Sequence, residues 1–261
     1  MSDTIYEEKD NLAVITLNRP DSLNSVKIEQ LEELVTRLNE YEQNDKIRAI
    51  VITATGRGFC TGADLTGGGG RPDAATAMGM KLSTHIYSRV PFTIASIEKP
   101  VIAAVNGIAA GFGCNLALCC DMIYATPDAK FIEIFVKRGM CPDGGGTYFL
   151  PRLVGLARAK EIFFSGDPVL AEEALKIGMI NKVVPNDKLM DETMEYAKRI
   201  AKAPTRSVGM IKRLLNRSFD TDLQTQLEFE AAYQGLATST SDMMEGVVSF
   251  LEKRDSNFQG K

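Results

Sequence analysis

The apolar and polar positions along this chain change period several times, and each change predicts an element. Leu12 to Leu17 (LAVITL) reads as a strand, entered from Ile5-Tyr6 through the turn-prone Lys9-Asp10-Asn11 and broken by Asn18-Arg19-Pro20-Asp21. Ile28, Leu31, Leu34, Val35, Leu38 and Tyr41 then recur at helical spacing, which predicts an amphipathic helix over 27–43. Ala49 to Thr53 and Val101 to Val105 are apolar runs short enough for strands buried on both faces. Between them lie a Gly-rich connection and a helix near 76–96. Alternation of this kind predicts an α/β fold around a largely parallel sheet. Beyond about residue 187 the strand signals stop. Residues 187–203, 205–217, 221–237 and 241–254 read as helices separated by Pro204, Asp220 and a Ser239-Thr240-Ser241 cap. The expected division is a core over 1–200 that holds the site, followed by a helical region over 201–261 that packs on the core or on another subunit.

Three loops follow buried runs and carry the chemistry. They are Gly56–Leu65 (GRGFCTGADL), Asn106–Asn115 (NGIAAGFGCN) and Gly139–Thr147 (GMCPDGGGT); the tract Gly67–Gly70 reads as a further mobile loop. Glycine after a strand lets the backbone turn sharply and approach a ligand. Where a helix follows, its first N–H groups point outward as donors, suited to a phosphate or to an oxygen that gains charge during reaction. The phosphate reading is weak, because no GxxxxGK occurs and Gly111-Phe112-Gly113 lacks the third glycine of a dinucleotide fingerprint. From spacing alone, tight turns explain the loops as well.

Composition narrows the partners. The 261 residues are 44% apolar and 25% charged, with a formal net charge of -4. No basic excess exists to draw a nucleic acid or an anionic membrane. A single histidine, His85, removes most zinc sites and every arrangement that needs two imidazoles, so no metal is expected. The five cysteines (Cys60, Cys114, Cys119, Cys120, Cys141) are odd in number and lie mostly in apolar runs, as in a reduced compartment. The first residues lack a signal-peptide core and no run approaches a membrane span, so the expected location is the cytoplasm.

Several segments, in order from about Leu12 to Phe258, together resemble the crotonase (enoyl-CoA hydratase/isomerase) superfamily. They are GRGFCTGADL, KPVIAAVNGIAAGFGCNLALCCDMIYATPDAKF, PDGGGTYFLPRLVGLARAKEIFFSGD, AEEALKIGMINKVVP and GVVSFLEKRDSNFQGK. The resemblance implies a spiral of ββα units with a C-terminal helical region, assembled as trimers or dimers of trimers. It also implies an acyl-CoA thioester as substrate and no cofactor. Two backbone N–H groups that hold the thioester oxygen fall at Thr61 and Phe112. Residues along the CoA fall at Ala63, Asp64 and Leu65, and Phe250 and Lys253 belong to a tail that closes over it, often from a neighbouring subunit. Lys27, Arg57 and Lys253 are candidates for the CoA phosphates.

The acids then decide the chemistry. Hydratases of this family use two glutamates, and the matching positions here hold Asn115 and Phe135. Glu133, two residues away, is the one candidate to rescue that role, against a register fixed by motifs on both sides. Isomerases of the superfamily carry their acid in the loop that here reads Cys141-Pro142-Asp143-Gly144, which makes Asp143 the candidate catalytic residue. The bland alternative for Asp143 is a helix cap before Gly144-Gly145-Gly146. Asn115, Phe135, Met140 and His85 are candidates for the acyl pocket, Asn115 bonding either substrate or backbone. Cys60 and Cys114 read as small buried residues.

The expected activity is an isomerase that shifts a double bond from position 3 to position 2 of an enoyl-CoA. Alternatives are a ring-modifying isomerase of aromatic acyl-CoA thioesters with the same Asp, a hydratase-like enzyme, and a non-catalytic acyl-CoA-binding protein. An aryl-CoA dehalogenase is disfavoured because those sites usually add a tryptophan and this chain has none.

Overall fold

A computed structural model of the chain describes residues 2–64 and 77–261, the side chains of 77–84 excepted. Leu65 and the tract 67–70 therefore lie outside the described residues. Strands β1 (Thr4–Lys9) and β2 (Leu12–Leu17) form a hairpin, and helix α1 (Ile28–Gln43) follows. Three ββα units come next. They are β3 (Ala49–Ala54), β4 (Gly58–Cys60) and α2 (Ala77–Ser96); β5 (Val101–Val105), β6 (Ile108–Ala110) and α3 (Phe112–Leu118); and β7 (Met122–Ala125), β8 (Lys130–Ile132) and α4 (Gly146–Val154).

Each unit sends its first strand to one sheet and its second to another. The large sheet has the order β1-β2-β3-β5-β7-β10 and the small one β4-β6-β8-β9. Within both sheets the strands of successive units pair in parallel. The chain thus winds as the expected spiral. Helix α5 (Leu156–Ser165), strand β9 (Val169–Leu170), helix α6 (Ala171–Lys176), strand β10 (Lys182–Val183) and helix α7 (Leu189–Ala201) complete it, and α8 (Thr205–Arg217), α9 (Leu223–Ala237) and α10 (Ser241–Glu252) follow.

The unbroken apolar runs of β3 and β5 have a direct cause. Side chains alternate across a strand. Ile50 and Ile52, with Val101, Ala103 and Val105, enter one core together with Leu31, Leu34 and Leu38 of α1. Ala49 and Val51, with Ile102 and Ala104, enter a second core under Leu189, Ala197 and Ala201 of α7. Both faces of the sheet are covered, so neither can be polar. The candidate loops follow the strands of the small sheet.

The helical region is tied on by polar groups. Lys212 of α8, buried, donates to the carbonyls of Ile94 and Lys99 and to Asp121 at 2.7 Å. Arg48 donates to Thr205 and to the Ala203 and Phe258 carbonyls. Among the described residues no helix is long and apolar enough to cross a membrane.

Candidate active site

Two parallel neighbours of the small sheet, β4 and β6, end side by side with Cys60 opposite Ala109. The chain leaves β4 through Thr61 and Gly62, and leaves β6 through Gly111, which caps α3. These exits touch. A Cβ on Gly62 would lie 3.2 Å from the Ala110 carbonyl and 3.5 Å from the Phe112 nitrogen. One on Gly113 would lie 2.0 Å from the Cys60 carbonyl, so the close approach of α3 to β4 requires glycine there. Among the described residues, neither the Thr61 N–H nor the Phe112 N–H has a protein acceptor. The Thr61 hydroxyl is turned away, toward the carbonyls of Ser22 and Leu23. The Phe112 N–H opens a helix, where the peptide dipoles favour negative charge.

The third loop closes on the same place. After the 3-10 turn Ile134–Arg138, the chain reverses at Gly139 and reaches Gly144 and Gly145, both in the left-handed region. A Cβ on Gly144 would lie 2.8 Å from the Phe112 ring, and one on Gly146 would lie 2.3 Å from the Asn115 amide oxygen. The glycines therefore press Asp143's loop against Phe112 and Asn115. Asn115 is fully buried, and its Nδ2 donates to the Asp143 carbonyl at 2.8 Å. Of the two partners weighed for Asn115, substrate or backbone, the hydrogen bond observed is to the backbone.

Asp143 is half-buried. Its Oδ1 is shielded from solvent and has no hydrogen-bond partner among the described residues. Burial pushes its carboxyl up to about 6. The alternative of a helix cap is not what the geometry shows: the cap of α4 is Gly145, and among the described residues no side-chain cap bond is made. Glu133, which precedes the 3-10 turn, is 0% exposed, and among the described residues neither of its oxygens has a partner in hydrogen-bond geometry. The Cys114 thiol and the Asn115 amide lie beside it. Burial pushes Glu133 up to about 8; Cys114 pulls it back, the Asp143 charge adds to the rise, and Asn115 lowers it slightly. Phe135 is buried with its ring 3.7 Å from a Cβ on Gly111, beneath the turn into α3.

The remaining candidates scatter. Ala63 pairs with Val26, and the Asp64 carboxylate, buried, meets Arg19 at 2.6 Å. Met140 stands at the surface, three residues before Asp143. It is 52% exposed after the reversal at Gly139 and lines a groove of about 370 Å³ with Cys141, Pro142, Phe163 and Phe164. His85 is exposed on α2, one position before the buried stripe of that helix. Phe250 and Lys253 are exposed at the end of α10. Cys60 and Cys114 are fully buried, and desolvation raises both thiols (Cys60 to about 12), which fits inert packing groups.

Two residues escaped the sequence reading. Tyr87 stands edge-on to Phe112 with ring centroids 5.0 Å apart, and burial followed by the Asp143 charge pushes its hydroxyl up to about 12. The helical spacing of Tyr87, Val90 and Ile94 was the available signal. Arg19 had none, since only folding brings it to Asp64.

The enoyl-CoA hydratase/isomerase family matches residues 7–261. A 1,2-epoxyphenylacetyl-CoA isomerase of Escherichia coli (strain K12) is 42% identical over 248 residues, covering 95% of this chain and 94% of the relative. A crotonyl-CoA hydratase of Syntrophomonas wolfei is 37% identical over 258 residues, covering 98% of each. A crystal structure of an enoyl-CoA hydratase from Bacillus anthracis superposes with a TM-score of 0.93 at 30% identity and covers 100% of both chains.

Proposed function

This chain belongs to the enoyl-CoA hydratase/isomerase family, whose members act on acyl-CoA thioesters, and we propose that it is an isomerase, not a hydratase. The observation that carries the reading is the supply of acids. Positions that hold hydratase glutamates in the family pattern are Asn115 and Phe135, neither able to transfer a proton. Asp143 is a partly desolvated carboxyl, next in the chain to the Gly144 that abuts Phe112, with an oxygen free of protein partners among the described residues. Glu133 is 0% exposed, away from the solvent that would supply the water of hydration.

In the proposed reaction Asp143 removes a proton from C2 of a 3-enoyl-CoA. The electron pair passes through C1 to the thioester oxygen, which accepts from the Thr61 and Phe112 N–H groups. The same carboxyl returns the proton at C4 as the electrons move back, leaving the 2-enoyl thioester with atoms and charge unchanged. Each main-chain donor is worth on the order of 3 kcal/mol to such an oxyanion. A carboxyl near pH 6 is a stronger base than a free one and still ionised at neutral pH.

The name of the 42% identical relative favours a second reading, in which the same acid and donors isomerise an aromatic-ring epoxide carried as its CoA thioester. For either substrate, Ala63, Asp64 and Leu65 would run along the CoA. Phe250 and Lys253 would close it from a neighbouring copy in a homotrimer or a dimer of trimers. Support for that assembly is the apolar surface of the helical region over 201–261, with Phe219 74% and Phe250 81% exposed in one chain.

The deciding assay follows conjugation of 3-hexenoyl-CoA by ultraviolet absorbance, with crotonyl-CoA hydration run in parallel. Conjugation without hydration, abolished in Asp143→Asn while calorimetry still records CoA binding, is the expected result. Near-normal turnover by Asp143→Asn removes the proposal.

A further inference from the structure

The mechanism uses one carboxyl, yet the structure buries a second one beside it and spends a fully buried amide between them. Asn115 sits on α3, three residues after Phe112, so its helix also carries a proposed oxyanion donor. Its Nδ2 donates to the main-chain carbonyl of Asp143 at 2.8 Å, and its side chain is hemmed in by Gly144 and Gly146. That single bond couples the loop holding the acid to the helix holding the donor. The other edge of the same amide, Oδ1, is buried without a partner among the described residues, and so are both oxygens of the neighbouring Glu133. A buried acceptor left alone costs about 1–3 kcal/mol, so its neighbour is expected to donate.

We infer that Asn115 is the positioning residue for Asp143, clamping the acid's loop to the helix that begins at Phe112, with the Glu133 carboxyl holding the far edge of the Asn115 amide. The inference rests on the isomerase reading for its catalytic consequence, not for the clamp itself. A carboxyl can donate only while it holds its proton, and burial favours that state: Glu133 is pushed up to about 8, whereas Asp143 is pushed only to about 6. The two acids thus divide the work at neutral pH, one neutral and structural, the other ionised and basic. Cys114 and Asp143 are the other titratable groups at Glu133, and the Cys114 thiol, raised by burial, carries no charge there. Asn115 touches no reacting atom in this account. Its effect is to fix where Asp143 stands relative to the Phe112 N–H, and misplacement on the scale of 1 Å costs about 100-fold in rate.

The test combines steady-state conjugation of 3-hexenoyl-CoA with amide hydrogen exchange over residues 143–147, measured on the full chain. Asn115→Ala and the near-isosteric Asn115→Asp should each lower kcat by about 10- to 100-fold with KM within about twofold. Both should also speed exchange in the loop. Glu133→Leu should repeat the loss, and Glu133→Gln, whose amide can donate again, should recover most of it. Asp143→Asn keeps the main-chain carbonyl, so it should lose turnover and leave exchange unchanged. Wild-type kcat, or unaltered exchange, in a folded Asn115→Asp protein overturns the proposal, as does a fall confined to KM. Should wild-type protein fail to conjugate the substrate, the isomerase reading falls, while the exchange of the Asn115 variants still decides the clamp.

Discussion

The strand core and the C-terminal helices place their exceptions in opposite ways. In the core the apolar residues are inside, and the exceptions are polar groups buried without partners: among the described residues, the orphaned carboxyl oxygens belong to Glu133 and Asp143. In the helical region the buried charges are paired, as Lys212 is with Asp121, and Asp242 accepts from the Gln259 and Gly260 N–H groups. There the exceptions are apolar and outside: Leu215, Phe219, Leu223, Phe250 and Leu251 all face solvent in one chain. A desolvated acid raises the energy of the folded protein and is retained where chemistry needs it. An exposed apolar face carries a cost that only association removes. We read the first pattern as the proposed reaction site and the second as the surface of the proposed assembly.

Substitutions can break that contrast, and the largest effect belongs to the core. Asp143→Asn should lower isomerase kcat by about 10³-fold, within the span of general-base contributions, with the melting temperature unchanged or higher. Unaltered kcat in the conjugation assay would put the chemistry elsewhere. On the helical side, Lys212→Met removes a buried ammonium from the partly exposed Asp121 and from the Ile94 and Lys99 carbonyls, and should cost roughly 1–3 kcal/mol. Urea unfolding checks this, and a cost under 1 kcal/mol would mean that α8 docks without its lysine.

A third prediction sharpens the comparison by pH. The folded value of Glu133 lies near 8, above 4.5 for the free group, so the folded state holds this proton more tightly than the unfolded one. Stability should therefore be greatest below about pH 4.5 for this group and fall as pH rises to about 8. Glu133→Gln should remove that slope, on the order of a few kcal/mol across the window. Parallel slopes for wild type and variant in denaturant titrations would contradict it.

Smaller effects follow. If the proposed trimer forms through the apolar surface, Phe219→Glu should shift it toward monomer in light scattering while far-ultraviolet circular dichroism stays the same. Smallest is the acid limb of kcat/KM, which should rise with pH through about 6 as Asp143 loses its proton, and disappear in Asp143→Asn.

Much of the fold was legible because its signals are local. The runs AIVIT and VIAAV became doubly covered strands, and the spacing of Leu31, Leu34, Val35 and Leu38 became the buried stripe of α1. Pro204 and the Ser-Thr-Ser segment marked true helix boundaries, with Thr240 capping α10 through the Met243 N–H. The site was legible only in part. Asp143 stood out by its motif, but Met140 beside it gave no sign of turning outward, because the direction of a loop side chain depends on the positive φ of Gly139. Arg19 meets Asp64 across 45 residues, and no periodicity encodes such a pair.

The sequence by itself determined the alternation of buried strands and helices, the glycines that let backbones meet, and which acid the third loop carries. Those follow from side-chain period and from the conformations each residue type permits. Only the tertiary structure decided that Glu133 is sealed from solvent beside Asn115, and that Asn115 reaches the Asp143 carbonyl. Desolvation and hydrogen-bond geometry are properties of the assembled surroundings, set by every element packed around a group and by none of them alone.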